Sequence, residues 1–266
     1  MAEFRAILAL PGAADLSQLR GDLLTLAGET AHDLADYAVA RALQEESVAV
    51  LRGVGNRRRT AYALSHLGLT LREQGDYPAA RAALEECLAL CRQLDIKVGV
   101  ANSLERLGTV AQAAGDYAAA EAYYEESLVA AKAMGDDDTG WTVLNMACLA
   151  LDRGDPAAAR PRLREVLQAM PASEDMQFVM YVLAAAASLA VAEGAHDGAS
   201  RLAGAVDALE MRSGAPLQPT YRARFGRSLT LAGAALGEAG VATARAAGHA
   251  LTPEQAVAEA LDACRA

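Results

Sequence analysis

The phrase QGDYPAAR, beginning at Gln74, returns almost unchanged as AGDYAAAE at Ala114, and more loosely as LADYAVAR at Leu34 and RGDPAAAR at Arg153. Aligned on the pair that follows the small residue, these phrases fall at 36–37, 76–77, 116–117 and 155–156, and Ala195-His196 continues the series. A period of roughly 40 residues is the mark of a chain built from stacked, similar units. A second echo lies upstream at Gly28, Gly68, Gly108, Ala147 and Ala187, and a third downstream at Ser47, Cys87, Ser127, Val166 and Val206.

Apolar residues on both sides of the phrase recur at helical spacing, as in Leu64, Leu67 and Leu71, then Leu84 and Leu88. Each unit therefore reads as two helices joined by a turn. Glycine at the turn takes the left-handed conformation that ends the first helix, and aspartate caps the second. The small residues pair as Gly28/Ala40, Gly68/Ala80, Gly108/Ala120, Ala147/Ala159 and Ala187/Ala199, which lets the two helices of a unit approach closely. Aromatics make up only 5% of the chain against 53% hydrophobic residues. The core is thus mostly Ala, Leu and Val, suited to close helix packing.

Leu-Gly in a first helix, Gly-x-Tyr at a turn and small residues in a second helix resemble the tetratricopeptide repeat. The resemblance spans about residues 16–212 as five helix pairs, near 16–54, 55–95, 96–135, 136–172 and 173–212. Units two and three match best. Unit one carries Ala35 in place of the turn glycine, unit four Pro156 in place of the tyrosine, and unit five Ala195-His196. It implies an all-α, α-α superhelix of antiparallel helix pairs. The period is longer than the ~34 residues of the commonest form, as in the C-terminal sensor region of maltose-regulator-like (LuxR-type, STAND) bacterial signal-transduction ATPase regulators.

The segments RLAGAVDALEMRSGAPLQP (Arg201–Pro219) and ALTPEQAVAEAL (Ala250–Leu261) are similar to the close of those regulators. Residues 213–266 are accordingly expected to form capping helices over the last apolar face. Pro216 and Pro219 stop one helix, Thr220–Glu238 forms the next, and Gly240 to Gly248 is expected to loosen the chain. Thr252-Pro253-Glu254-Gln255 then reads as a capping box with proline at the first helical position. Phe4, Ile7, Leu8 and Leu10 suggest that residues 1–15 are the remnant of a preceding helix.

The net charge of −10 and the lack of a basic recognition helix argue against direct nucleic-acid binding. No window is long and apolar enough for a membrane span, the N-terminus lacks the basic start of a signal peptide, and four scattered cysteines do not make a secreted disulfide framework. A cytoplasmic location follows as the expectation. No phosphate loop, nucleophile–base pair or carboxylate dyad stands out, so neither an enzyme nor a cofactor is expected. His32 and His66 lack further ligands at metal spacing. Cys87 and Cys91 share a helix face, but Cys87 falls where Ser47 and Ser127 fill the core. The acidic run Gly135–Gly140 lacks the alternating ligands of a calcium loop and reads as a helix start. Arg57, Arg58 and Arg59 occupy a first helical turn, where cations are unfavourable; they are either a solvated run or the mark of an acidic partner.

The repeat architecture implies a concave groove lined by the first helices. Its candidate partner-binding residues are Tyr62, His66, Arg72, Asn102, Glu105, Arg106, Gln112, Trp141, Asn145 and Tyr181. Tyr62, Trp141 and Tyr181 hold one equivalent position, so they either form an aromatic ladder for a ligand or pack on the adjoining repeat. Aromatic anchors between adaptable polar groups suit a protein or peptide segment, or a small effector. The lysine-bearing clamp of chaperone-tail binders is missing from these positions. Two readings follow: the sensor domain of a STAND-type transcriptional regulator, and a free-standing scaffold joining two partners. Self-association stays open.

Overall fold

The computed structural model describes residues 17–135, 139–170 and 176–265. Within them the chain is entirely helical apart from turns and short links. It divides into two compact units, residues 1–137 and 138–266. The proposed N-terminal remnant and the aspartates 136–138 of the acidic run lie outside the described residues.

The first unit holds three helix pairs: α1 (Ser17–Asp33) with α2 (Tyr37–Gly53), α3 (Arg57–Glu73) with α4 (Tyr77–Gln93), and α5 (Lys97–Ala113) with α6 (Tyr117–Lys132). Within this unit α2 also packs on α3 and α4 on α5, and α1, α3 and α5 touch in succession. This is the all-α helix-pair solenoid. The turn chemistry behaves as its sequence implies: Gly75 and Gly115 sit at φ 78° and 82°, and the next residues, Asp76 and Asp116, accept from the backbone N–H of Ala79 and Ala119 at 3.3 and 3.1 Å. Ala35, lacking the glycine, still takes φ 60°.

The close helix approach has a more specific cause than the matching of small residues. A Cβ on Gly68 would lie 2.5 Å from Cγ of Leu84, and one on Gly28 would lie 2.6 Å from Cγ of Gln44; on Gly108 it would strike the Tyr124 ring. The glycine is thus a socket for the residue sixteen positions on. Ala80 is fully buried, but it is Leu84 that fills the space over Gly68. A polar tie repeats beside it. Ser47, Cys87 and Ser127 donate to the carbonyls of Gly21, Ala61 and Ala101 at 2.8, 3.0 and 2.9 Å. Cys87 is therefore a core thiol standing in for serine. Arg59 of the arginine run lies 3.4 Å from Asp22, and Arg57 donates to Gln93, so these charges find partners within the chain.

The second unit holds α7 (Gly140–Asp152) with α8 (Pro156–Ala169), α9 (Met176–Ala192) with α10 (His196–Ser213), then α11 (Pro219–His249) and α12 (Pro253–Ala263). The socket position is alanine here; Ala147, Ala159, Ala187 and Ala199 are all fully buried. α12 begins with the expected capping box at Thr252 and Gln255, and it packs on α8, α9 and α10. One expectation is overturned. Residues 240–248 do not loosen the chain but continue α11, whose only non-helical residue is Gly237 at φ 70°, ψ 168°. Of the glycines that suggested looseness, Gly248 serves packing. A Cβ on Gly248 would collide with the Arg201 carbonyl, and one on Gly204 with that of Arg245, so α10 and α11 cross almost backbone to backbone.

Candidate functional site

In the first unit, α1, α3 and α5 place their outward side chains on one face. Tyr62 is half-exposed and its ring stands 4.6 Å from that of His66. The Tyr62 hydroxyl is hydrogen-bonded to Glu29, whose carboxyl is raised above its ordinary range chiefly by burial. Nε2 of His66 lies 3.5 Å from Glu29. Burial first, then the positive charge of Arg106, takes the His66 pKa down to about 3. The His66–Glu29 contact therefore joins a carboxylate to a neutral ring and is no ion pair at neutral pH. Arg106, half-buried, donates to Ser65 Oγ at 2.5 Å. Among the described residues no carboxylate reaches ion-pair distance of its guanidinium, and burial lowers its pKa. Asn102 is exposed and Glu105 half-buried.

Arg72 and Gln112 are less accessible. Arg72 is buried, paired with Glu73 and donating to Thr109 Oγ1 at 2.6 Å. Gln112 accepts from the buried Tyr124 hydroxyl at 2.8 Å. His32, one repeat before Arg72, bonds Thr70 Oγ1 through Nδ1 at 3.0 Å. Burial, then Arg72, brings its pKa down to about 4. His32 and Arg72 thus tie one first helix to the next, and Gln112 ties α5 to α6.

The second unit carries the same positions on α7 and α9. Trp141 is 38% exposed, with its ring 4.7 Å from Phe178 and 5.4 Å from Tyr181. Tyr181 and Asn145 are buried. The cover is the chain's own tail. The Tyr221 ring meets Tyr181 edge-on at 4.5 Å and its hydroxyl bonds Asn145; the Gln218 N–H donates to the Tyr181 hydroxyl at 3.2 Å. Arg224 grips Asp152 with two bonds of 2.9 and 2.6 Å. Asp152, Tyr221 and Arg224 were not among the residues singled out from sequence. The signal that could have placed them is the i, i+3, i+6 spacing of Tyr221, Arg224 and Arg227 on one helix face.

No group of three or more His, Cys, Asp and Glu able to hold a metal occurs among the described residues. Nor is any described helix long and apolar enough to cross a membrane.

Glycine sockets, capped turns and stacked first helices define a helix-pair repeat scaffold with no catalytic constellation among its described residues. Residues 20–93 and 99–172, more than half of the chain, match the Tetratricopeptide repeat family. The chain belongs to that family. Among solved structures it is similar to the nearly identical TPR-like repeats of a protein described as a kinesin light chain from Podosopora anserina. The identity is 15% over 74% of this chain and 97% of that one, with a TM-score of 0.53, a likeness of fold. No curated protein matches.

Proposed function

We propose that the protein is a binding scaffold whose first-helix face takes up protein or peptide segments, and that in the first unit Tyr62, His66 and Arg106 form the contact. The observation that carries this reading is the behaviour of the equivalent positions in the second unit. There Tyr181, which corresponds to Tyr62, and Asn145, which corresponds to His66 and Arg106, already hold a peptide segment, the chain's own Gln218–Tyr221, while Trp141 lies against Tyr181. In the first unit those positions offer a half-exposed aromatic ring and a guanidinium bonded to a serine hydroxyl. An occupant would lay an apolar side chain against Tyr62 and bring an acceptor oxygen to Arg106, whose charge-assisted bond is stronger than a neutral one. Aromatic and arginine anchors of this kind dominate interface energetics.

The adaptor role needs no further component. The sensor role would place the same face inside a STAND-type regulator, reporting occupancy to an ATPase segment through inter-repeat packing. It is favoured by the likeness of Arg201–Pro219 and Ala250–Leu261 to the close of those regulators. The complete gene distinguishes them: an ATPase and a DNA-binding segment in the same reading frame support the sensor.

The binding reading is tested by selecting a displayed random-peptide library against the full chain. Enriched peptides should bind the Tyr62→Ala and Arg106→Gln variants at least tenfold more weakly, with helicity by circular dichroism unchanged. Peptides that bind both variants as well as the wild type would refute it.

A further inference from the structure

α11 is attached to the second unit in two different ways. Beyond Gly237, the helix lies on α10 with glycine facing backbone at Gly204 and Gly248, and Arg245 pairs with Asp207. Before Gly237, the segment 219–236 buries Phe225 and Ala232, the latter against Ala190, Val191 and Ala199, and leaves Leu231 61% exposed. It is held largely through polar side chains: Tyr221 on Asn145, Arg224 on Asp152 and Arg222 on Glu210, with Arg227 3.6 Å from Asp152. This half also contains Gly226 and Gly233, at which an added Cβ would touch nothing within 4 Å. Glycine there meets no packing demand and weakens the helix relative to alanine. The non-helical Gly237 separates the weakly held half from the anchored one.

We propose that residues 219–236 form a strap that acts as a built-in ligand for the first-helix face of the second unit, hinged at Gly237. When the strap lifts, the face accepts in its place a partner helix of the same chemistry. The strap shows what that chemistry is. A tyrosine fits between Tyr181 and Asn145, and arginines three and six residues later converge on Asp152; positions i, i+3 and i+6 lie close together on one helix face. The occupant is thus a basic amphipathic helix with an aromatic-x-x-Arg-x-x-Arg pattern. Asp152 supplies the charge complementarity, since a carboxylate gripping arginine with two parallel bonds is geometrically selective. The strap competes with that helix at the high effective concentration of a tethered segment, so only partners that outbid it, or conditions that loosen it, open the face.

The test uses the full chain. Native-state hydrogen exchange should show amides in 221–236 exchanging at least tenfold faster than those in 240–249. A fluorescent peptide with the sequence of residues 219–236 serves as the probe. It should bind the Arg224→Glu chain at least tenfold more tightly than the wild type, and lose that binding when Asp152→Arg is added. The Gly226→Ala/Gly233→Ala chain, in which no contact is disturbed, should bind it more weakly than the wild type, which keeps the proposal testable even if Arg224→Glu fails to fold. Equal exchange in the two halves, or a peptide affinity indifferent to both the charge reversal and the glycine replacements, would overturn the strap. Release that instead produces a concentration-dependent dimer exchanging straps between copies would overturn the assignment to a separate partner.

Discussion

Ala35 occupies the left-handed turn position at φ 60°, where other turns place glycine at 55, 75, 115, 154 and 194. A side chain there costs roughly 1–2 kcal/mol, part of which a glycine would return as unfolded-state entropy. Ala35→Gly should therefore raise stability by about 0.5–1 kcal/mol, measured by urea denaturation. Gln44 presents a second local conflict. It fills the Gly28 socket that Leu84 and Tyr124 fill elsewhere, fully buried, with neither side-chain atom hydrogen-bonded. Leaving such groups unsatisfied costs on the order of 1–3 kcal/mol. Gln44→Leu should stabilise the first unit by about that much, seen as a higher denaturation midpoint; a loss of stability would mean that the amide is satisfied. Ala35 was legible in sequence because it broke a repeated phrase. Gln44 was not, because the socket partner lies sixteen residues beyond the glycine and the matching of small residues pointed to Ala40 instead.

At the scale of elements, the helix pairs were legible for a physical reason. Each turn must end one helix and cap the next, and few residues do either, so Gly-Asp recurs at the turns of the second, third and fourth pairs. The tail obeyed a different constraint. Glycine weakens a helix in isolation, hence the expectation of a loose stretch at 240–248; only the partner helix reveals that Gly248 permits a backbone-to-backbone crossing. Gly248→Ala should cost about 3 kcal/mol or more, above the usual range for overpacking, because a carbonyl oxygen cannot yield as a side chain can. Gly226→Ala, on the same helix but facing open space, should instead gain about 0.5–1 kcal/mol. Thermal unfolding of the two variants checks the contrast. Which face α11 covers was not legible, since Tyr221 and Arg224 read as surface residues until Asn145 and Asp152 are seen opposite them.

At the scale of the whole molecule, the neutral His32 and His66 make stability depend on pH. Their folded pKa values, about 4 and about 3, lie below the ordinary value near 6.5. The unfolded chain therefore binds protons first as the pH falls, and these two residues withdraw stability from about pH 6.5 downwards. Glu29 and Asp33, both raised by burial, act in the opposite sense. Denaturation midpoints should drop between pH 7 and 5, and His66→Gln should flatten that slope. A slope unchanged by the substitution would show that His66 does not remain neutral in the folded protein.

The composition of the exposed face was readable from the repeat register, but its division into exposed and bracing residues was not. Arg72 and Arg106 look alike in sequence, yet one is closed off by Glu73 and Thr109 and the other donates to the Ser65 hydroxyl. The account stands most directly on where a ligand lands. NMR chemical-shift mapping of a library-selected peptide should place the largest changes at Tyr62, Ser65, His66 and Arg106 on α3 and α5. Changes concentrated instead on the outer surfaces of α2, α4 and α6 would contradict it.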